Sequence, residues 1–176
     1  MTRINDLASE VRHLSGEEIA LCYHCHKCTA GCPVIGAMTY GPDQMLRMVA
    51  MDQCELVLSS KDIWLCAGCY TCAARCPNDI DIAAVMDALR QLALSEGYKA
   101  SEADVFLFHR LFFGVLARFG RSHEAIVLGL FKVLSHQPLI NDMAAGAGLF
   151  LRGKIPLLPH NIRAARPVHR MFEESK

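Results

Sequence analysis

The sequence lacks an excess of charge of either sign and lacks a long apolar run. Its 176 residues carry 18 basic and 18 acidic side chains, and this balance argues against a general nucleic-acid binder. The most apolar stretch, residues 105–119, is interrupted by His109, Arg110 and Arg118 and is shorter than the roughly 20 residues that span a bilayer. We therefore expect no membrane span and no nucleic-acid partner.

Signals for export and for nucleotide binding are also missing. The first 18 residues are polar and show no apolar segment of the kind found in signal peptides, so we expect a cytoplasmic protein. The sequence contains no G-x-G-x-x-G fingerprint and no P-loop. The scattered histidines of the second half accompany no carboxylate or nucleophile at a telling spacing, and we expect no catalytic residue.

The zero net charge conceals two unlike halves. Residues 1–98 carry 7 basic and 12 acidic groups, a net charge of −5, whereas residues 99–176 carry 11 and 6, a net charge of +5. Such asymmetry indicates partners of different character at the two ends, or simple solubility.

Eight of the nine cysteines form two copies of one pattern. Residues 22–33 read CYHCHKCTAGCP and residues 66–77 read CAGCYTCAARCP, at an offset of 44 residues. An acidic residue and an apolar pair also recur before each copy, which indicates an internal duplication of about 16 residues.

The spacing C-x₂-C-x₂-C-x₃-C-P is that of bacterial two-cluster ferredoxins, in which the fourth cysteine of each copy binds the other cluster. Carried over to this sequence, the pattern predicts two [4Fe–4S] clusters with crossed ligands. The first cluster would be bound by Cys22, Cys25, Cys28 and Cys76. The second would be bound by Cys66, Cys69, Cys72 and Cys32.

Zinc and disulfide bonds are the alternatives for these cysteines. A third cysteine at the same short spacing in both copies exceeds what four-coordinate zinc requires, and a reducing cytoplasm disfavours disulfides. His24 and His26 could be zinc ligands, but their position inside a cluster-wrapping loop favours a solvent-facing or polarity-tuning role. Cys54 lies outside both copies and is interpreted as a small buried hydrophobe.

The remaining pattern predicts an all-α fold, namely a helical dicluster ferredoxin-like domain at residues 1–98 and a helical extension with a basic docking tail at residues 99–176. Helices are expected after Gly41-Pro42-Asp43, around residues 55–60, after an Asp79 or Asp81 cap up to Gly97, from a Ser101/Asp104 capping box to Phe119, over residues 122–134, and from Pro138 to about Leu151. Val34, Ile35, Ile80 and Ile82 follow the crossing cysteines and are expected to shield the clusters from water.

The chain resembles the C-like subunits of heterodisulfide reductase, a family of small helical proteins with two [4Fe–4S] clusters. The resemblance rests on the motifs LCYHCHKCTAGCPV and IWLCAGCYTCAARCP, the helical connector, DIAAVMDALRQLA, the element FGR at residues 119–121, and RGKIPLLPH near the end. It implies an electron-transfer subunit in a hetero-oligomer. Its partners would be an A-like flavin and iron–sulfur subunit, the place of electron bifurcation, and a B-like catalytic subunit that acts on a disulfide.

The residues agree with a relay role, because the chain lacks the paired cysteines of B-like subunits. Two other interpretations remain open. The chain could serve a sulfur-oxidising heterodisulfide-reductase-like complex or a quinone-linked dehydrogenase. It could also be a redox-sensing interaction protein, in which cluster loss changes docking of the helical tail.

Overall fold

The computed structural model describes residues 4, 6–135 and 165–174, and every regular element in this part of the chain is helical, as the sequence predicts. The α-helices are α1 Leu7–Ser15, α2 Lys27–Ala30, α3 Pro42–Ala50, α4 Cys54–Leu58, α5 Asp62–Leu65, α6 Thr71–Ala74, α7 Ile82–Ser95, α8 Ala103–Phe119, α9 Glu124–Leu134 and α10 Ala165–Glu174. Short 3₁₀ helices occupy Ile19–Leu21 and Ile35–Ala37.

The chain divides into two compact units, Met1–Ala103 and Asp104–Lys176. The division predicted from the sequence, after residue 98, stays a prediction about separate domains. The helix predicted from Pro138 and most of the predicted basic tail lie outside the described residues, whereas the end of that tail forms α10.

Helix α7 is the centre of the first unit and contacts α1, α4, α5 and α6. The Asp81 carboxylate caps it by accepting hydrogen bonds from the Ala83 and Ala84 N–H groups at 2.9 and 3.1 Å, which satisfies two donors that a helix start leaves free. The helix ends at Ser95, two residues before Gly97, whose φ of 81° suits glycine. The apolar stripe predicted from the sequence is buried along its whole length: Ile82, Val85, Met86, Leu89, Leu92 and Ala93.

Helix α1 packs against α7 and α3 and was not predicted from the sequence. Asp6 caps it by accepting a hydrogen bond from the Ser9 N–H at 2.9 Å, and Gly16 ends it with a φ of 77°. Its Leu7 and Val11 side chains are fully buried. A polar cap, an apolar pair at i and i+4 and a closing glycine were the available signals.

The connector between the two cysteine motifs is helical, as predicted. Helix α3 starts with proline at its first position, after Gly41, and the Gln44 side chain accepts a hydrogen bond from the Gly41 N–H at 2.9 Å. Met45 and Met48 are buried, which confirms their interpretation as core residues. Cys54 opens α4 half-buried, and burial raises the pKa of its thiol.

The second unit is held together by aromatic contacts between its helices. The ring of Phe108 meets that of Phe131 edge-on at 5.8 Å, joining α8 to α9, and Phe113 lies 6.3 Å from Phe172 of α10. Such ring pairs stabilise a fold beyond the apolar area that they bury. At the start of α8, the predicted capping box stays a prediction, and the Ser101 hydroxyl donates a hydrogen bond to the Ser59 carbonyl at 2.8 Å. Gly120, with a φ of 70°, ends α8 as expected.

Candidate iron–sulfur site

The two cysteine motifs adopt the same backbone conformation. In the first motif His24 and His26 have left-handed φ values of 56° and 62°. At the matching positions of the second motif, Gly68 and Tyr70 both have a φ of 59°. The left-handed region is sterically unfavourable for histidine and tyrosine. Two left-handed residues at matching positions of each loop indicate that both loops require the same backbone shape.

The hydrogen bonds of the two loops also match. The N–H of Cys32 donates to the Thr29 carbonyl at 3.1 Å, and the N–H of Cys76 donates to the Ala73 carbonyl at 3.1 Å. The carbonyls of these two cysteines in turn accept hydrogen bonds at 3.3 Å, from Ile35 and Asp79 respectively. The 44-residue duplication in sequence is therefore a duplication in structure.

One set of thiols lines a single cavity. Cys32 of the first motif lines it together with Cys66, Cys69 and Cys72 of the second motif. The rest of the lining is almost wholly apolar, and includes the shielding residues Val34 and Ile82 that were expected from the sequence. Ile35, also expected to shield, is instead 37% exposed.

Three thiols of the other set lie near Tyr23. Desolvation and then the neighbouring Cys25 raise the pKa of the Tyr23 hydroxyl, which hydrogen-bonds with Cys25; Cys76 and Cys22 raise it further. Cys76, the last cysteine of the second motif, therefore lies within electrostatic reach of the same hydroxyl as Cys22 and Cys25. The fourth member, Cys28, is buried.

The two sets adjoin each other. Helices α2 and α6, which follow the second cysteine of each motif, are in contact. The pKa of the Cys72 thiol is raised to about 11, mainly by burial, and the charges of Cys66 and Cys28 contribute. Cys28 of one motif therefore lies within electrostatic reach of Cys72 of the other.

The donor set fits iron–sulfur clusters. All nine cysteines, which lie within residues 22–76, are free thiols. Within the described part of the chain, no three cysteine, histidine or carboxylate side chains are close enough to bind one metal ion. A cubane needs no such convergence, because each cysteine binds a different corner iron. Thiolates are the usual ligands of such clusters.

The free thiols differ in acidity. Burial raises the pKa of Cys28, whereas the hydrogen bond with the Thr71 side chain lowers that of the exposed Cys69. A thiol with a pKa of about 11, such as Cys72, is protonated at neutral pH. Iron must displace that proton, so loading of the site releases protons.

Asp43 anchors the first loop to α3 and was missed in the sequence. Its carboxylate is buried, accepts a hydrogen bond from the Thr29 hydroxyl and lies 2.7 Å from Nδ1 of His26. Its own N–H donates to the Thr29 hydroxyl at 3.2 Å. His26 is therefore 2.7 Å from a carboxylate, and its ring is 70% exposed. A helix-start aspartate was the only sequence signal.

Arg90 ties α7 to the second motif. Its Nε donates to the Ile63 carbonyl at 2.6 Å, and one terminal nitrogen donates to the Cys66 carbonyl at 2.5 Å. The other terminal nitrogen binds the Asp87 carboxylate at 2.7 Å. The side chain is only 16% exposed, so these carbonyls have little access to water.

Replacing Arg90 with methionine should destabilise this end of the site. The variant keeps an unbranched apolar stem but removes the donors to two carbonyls, and we expect a loss of about 2 kcal/mol. The measurement is the anaerobic unfolding midpoint of the cluster-loaded protein. Arg47→Met, at an exposed position of α3, is the control and should change stability by less than about 0.5 kcal/mol. Equal midpoints for the two variants would contradict the proposed tie.

Comparison with known families identifies the domain that contains these loops. Residues 21–81 match the family model of the 4Fe–4S dicluster domain. No curated protein matches the chain. A dicluster domain is therefore present in an all-α, ferredoxin-like fold, and the protein carries two [4Fe–4S] clusters. This domain indicates a redox protein that transfers electrons.

Among residues 4, 6–135 and 165–174, no helix is both long and apolar enough to cross a membrane.

Proposed function

We propose that the chain is the electron-relay subunit of a heterodisulfide-reductase-like complex. It would pass electrons between an A-like flavin and iron–sulfur subunit and a B-like subunit that acts on a disulfide. The family resemblance of the motifs supports this role. The observation that carries it is the adjacency of the two thiol sets, through the contact of α2 with α6 and the proximity of Cys28 to Cys72.

The proposed ligand sets are crossed between the motifs. Cys22, Cys25 and Cys28 would bind one cluster with Cys76, and Cys66, Cys69 and Cys72 would bind the other with Cys32. The cavity lined by Cys32 and the second motif supports one set. The proximity of Tyr23 to Cys22, Cys25 and Cys76 supports the other.

The clusters, when bound, act as one-electron carriers. The chain's own residues hold and enclose the clusters. Apolar side chains such as Val34, Ile82 and Met86 exclude water from one set, which lowers the local dielectric. Asp43 and Arg90 fix the two loops from outside. No described residue is assigned a role in bond chemistry.

The decisive experiment is anaerobic purification from the source cell under conditions that keep its complexes intact. We expect the chain to co-purify with a flavin-containing protein and with a protein that has paired-cysteine motifs. We expect electron paramagnetic resonance of the reduced sample to show two interacting clusters on this chain. Rapid reduction of these clusters by the flavoprotein, and their reoxidation by the other partner, would complete the test.

Other partners would change the conclusion. Co-purification with a membrane cytochrome would favour a quinone-linked dehydrogenase. A sulfur-oxidising complex would be indicated by sulfur-carrier proteins in the same assembly. Oxygen-reversible binding to a regulator, without electron exchange, would favour a redox sensor. A single cluster signal with half of the iron expected for two clusters would end the proposal.

A further inference from the structure

Gly31 and Arg75 occupy the same place in the two motifs. Each residue directly precedes the fourth cysteine and closes the short helix of its motif, α2 or α6. The backbone of Gly31 has φ −101° and ψ −1°, and that of Arg75 has φ −100° and ψ −7°. Any residue can adopt this conformation, so the backbone does not require glycine at position 31.

The close approach of a neighbouring side chain accounts for the glycine at position 31. A Cβ atom placed on Gly31 would lie 2.8 Å from Cδ of Arg75 and 3.1 Å from its Cζ, and closer still to one terminal nitrogen. The arginine side chain therefore lies directly against the Gly31 backbone. Because α2 contacts α6, a Cβ atom at position 31 would displace the Arg75 side chain from its present place.

Arg75 is one of few charged side chains in the two motifs. The two twelve-residue motifs contain two side chains with a permanent positive charge, Lys27 and Arg75, and no acidic residue. Four thiolates give an iron–sulfur cluster a net negative charge, which grows on reduction. Net charge is among the factors that set its potential. A fixed cation at the meeting point of the two loops favours the reduced state.

We propose that Arg75, held against Gly31, raises the reduction potential of the clusters, and that position 31 is glycine to admit it. This inference rests on the crossed ligand sets of the proposed relay. It assigns to the pair a tuning role that neither motif spacing nor the family match supplies. Arg75 is exposed, so mobile ions screen its charge, and its influence should shrink at high ionic strength.

The first test compares Arg75→Gln with Arg75→Lys in the cluster-loaded protein. Redox titration followed by electron paramagnetic resonance should show a lower midpoint potential of at least one cluster in the glutamine variant. The lysine variant should retain part of the difference. Lys99→Gln removes one positive charge at an exposed position outside the motifs and should leave the potentials unchanged. The difference caused by Arg75→Gln should diminish as salt is raised.

The second test exchanges the two residues. In Gly31→Arg/Arg75→Gly, the matching backbone conformations should let the new arginine lie over the new glycine. We expect this double variant to have higher potentials than Arg75→Gly alone. We also expect Gly31→Ala to lower the unfolding free energy of the cluster-loaded wild-type protein by more than that of the cluster-loaded Arg75→Gly protein, in which the contact no longer exists.

The outcomes separate the tuning role from a structural one. Unchanged potentials in Arg75→Gln and Arg75→Gly, with full iron content, overturn the inference and leave the relay proposal intact. A shift of the midpoint potential that does not depend on salt concentration also overturns the inference. Loss of iron from both variants assigns Arg75 to assembly rather than tuning and also overturns it. Absence of two clusters from the unaltered protein instead refutes the proposed function.

Discussion

The Cys76→Ser protein should contain one cluster instead of two, and the lost cluster should be the one bound by the first motif. Cys76 belongs to the second motif in sequence, but its thiol lies near Tyr23 with those of Cys22 and Cys25. Removing it leaves three thiolates for a cluster that takes four. Iron analysis and electron paramagnetic resonance of the reduced protein should therefore both show a loss of about one half.

A comparison of spectra identifies which cluster is lost. The signal that remains in Cys76→Ser should match that of Cys25→Ser and differ from that of Cys69→Ser. Cys32→Ser should reproduce the spectrum of Cys69→Ser, because Cys32 lines the cavity of the second motif. Cys54→Ser changes the ninth cysteine and should keep both clusters. If Cys76→Ser instead resembled Cys69→Ser, the crossed ligand sets would be wrong.

Asp62→Ala should cause a large loss of stability. The Asp62 carboxylate is fully buried and accepts hydrogen bonds from the N–H groups of Thr39 and Tyr40, both at 2.9 Å, and from the Ser60 hydroxyl at 3.0 Å. Alanine removes the acceptor of these partly buried donors. An unsatisfied donor that is fully buried costs about 1–3 kcal/mol, so for three partly buried donors we expect a total of roughly 3 kcal/mol.

The loss should extend to the site, because residues 39 and 40 connect Met38 to Pro42, and both of these line the cavity of the second motif. Cluster release to a chelator should therefore be faster in Asp62→Ala, alongside a lower unfolding midpoint. Asp62→Asn retains one acceptor oxygen and should be intermediate. Glu10→Ala, at an exposed position of α1, should behave like the wild type. A wild-type midpoint for Asp62→Ala would show that these hydrogen bonds contribute little.

Most of the fold could be predicted from the repeated cysteine pattern and from the helical periodicity of the apolar residues. The stripe from Ile82 to Ala93 predicted both the position and the buried face of α7, because a 3.6-residue period directly reports one helix face. The spacing also predicted eight cluster-binding cysteines, since iron–sulfur loops leave a short-range pattern, and this assignment stays a prediction. The crossed pairing of these cysteines is a further prediction, supported here by the cavity and by Tyr23.

Long-range polar contacts could not be predicted in the same way. The duplication aligns Glu18 with Asp62 as equivalent acidic residues. Glu18 lies partly exposed at 2.7 Å from Arg12, whereas Asp62 is fully buried and holds residues 39 and 40. Residue type does not reveal this difference, because it depends on which backbone donors the fold brings near. The hydrogen bond from Arg90 to the Cys66 carbonyl could not be predicted from the sequence for the same reason.

The enclosure of the second cysteine set depends on residues made after the last cysteine. Ile82, Ala83 and Met86 form one wall of the cavity, and the Asp81 N–H donates to the Glu17 carboxylate, 64 positions earlier, at 3.0 Å. A nascent chain that has just emerged from the ribosome as far as Pro77 therefore presents all of its metal-binding thiols, but to open water. The cavity of the second cysteine set is therefore closed only once α7 has been synthesised and packed.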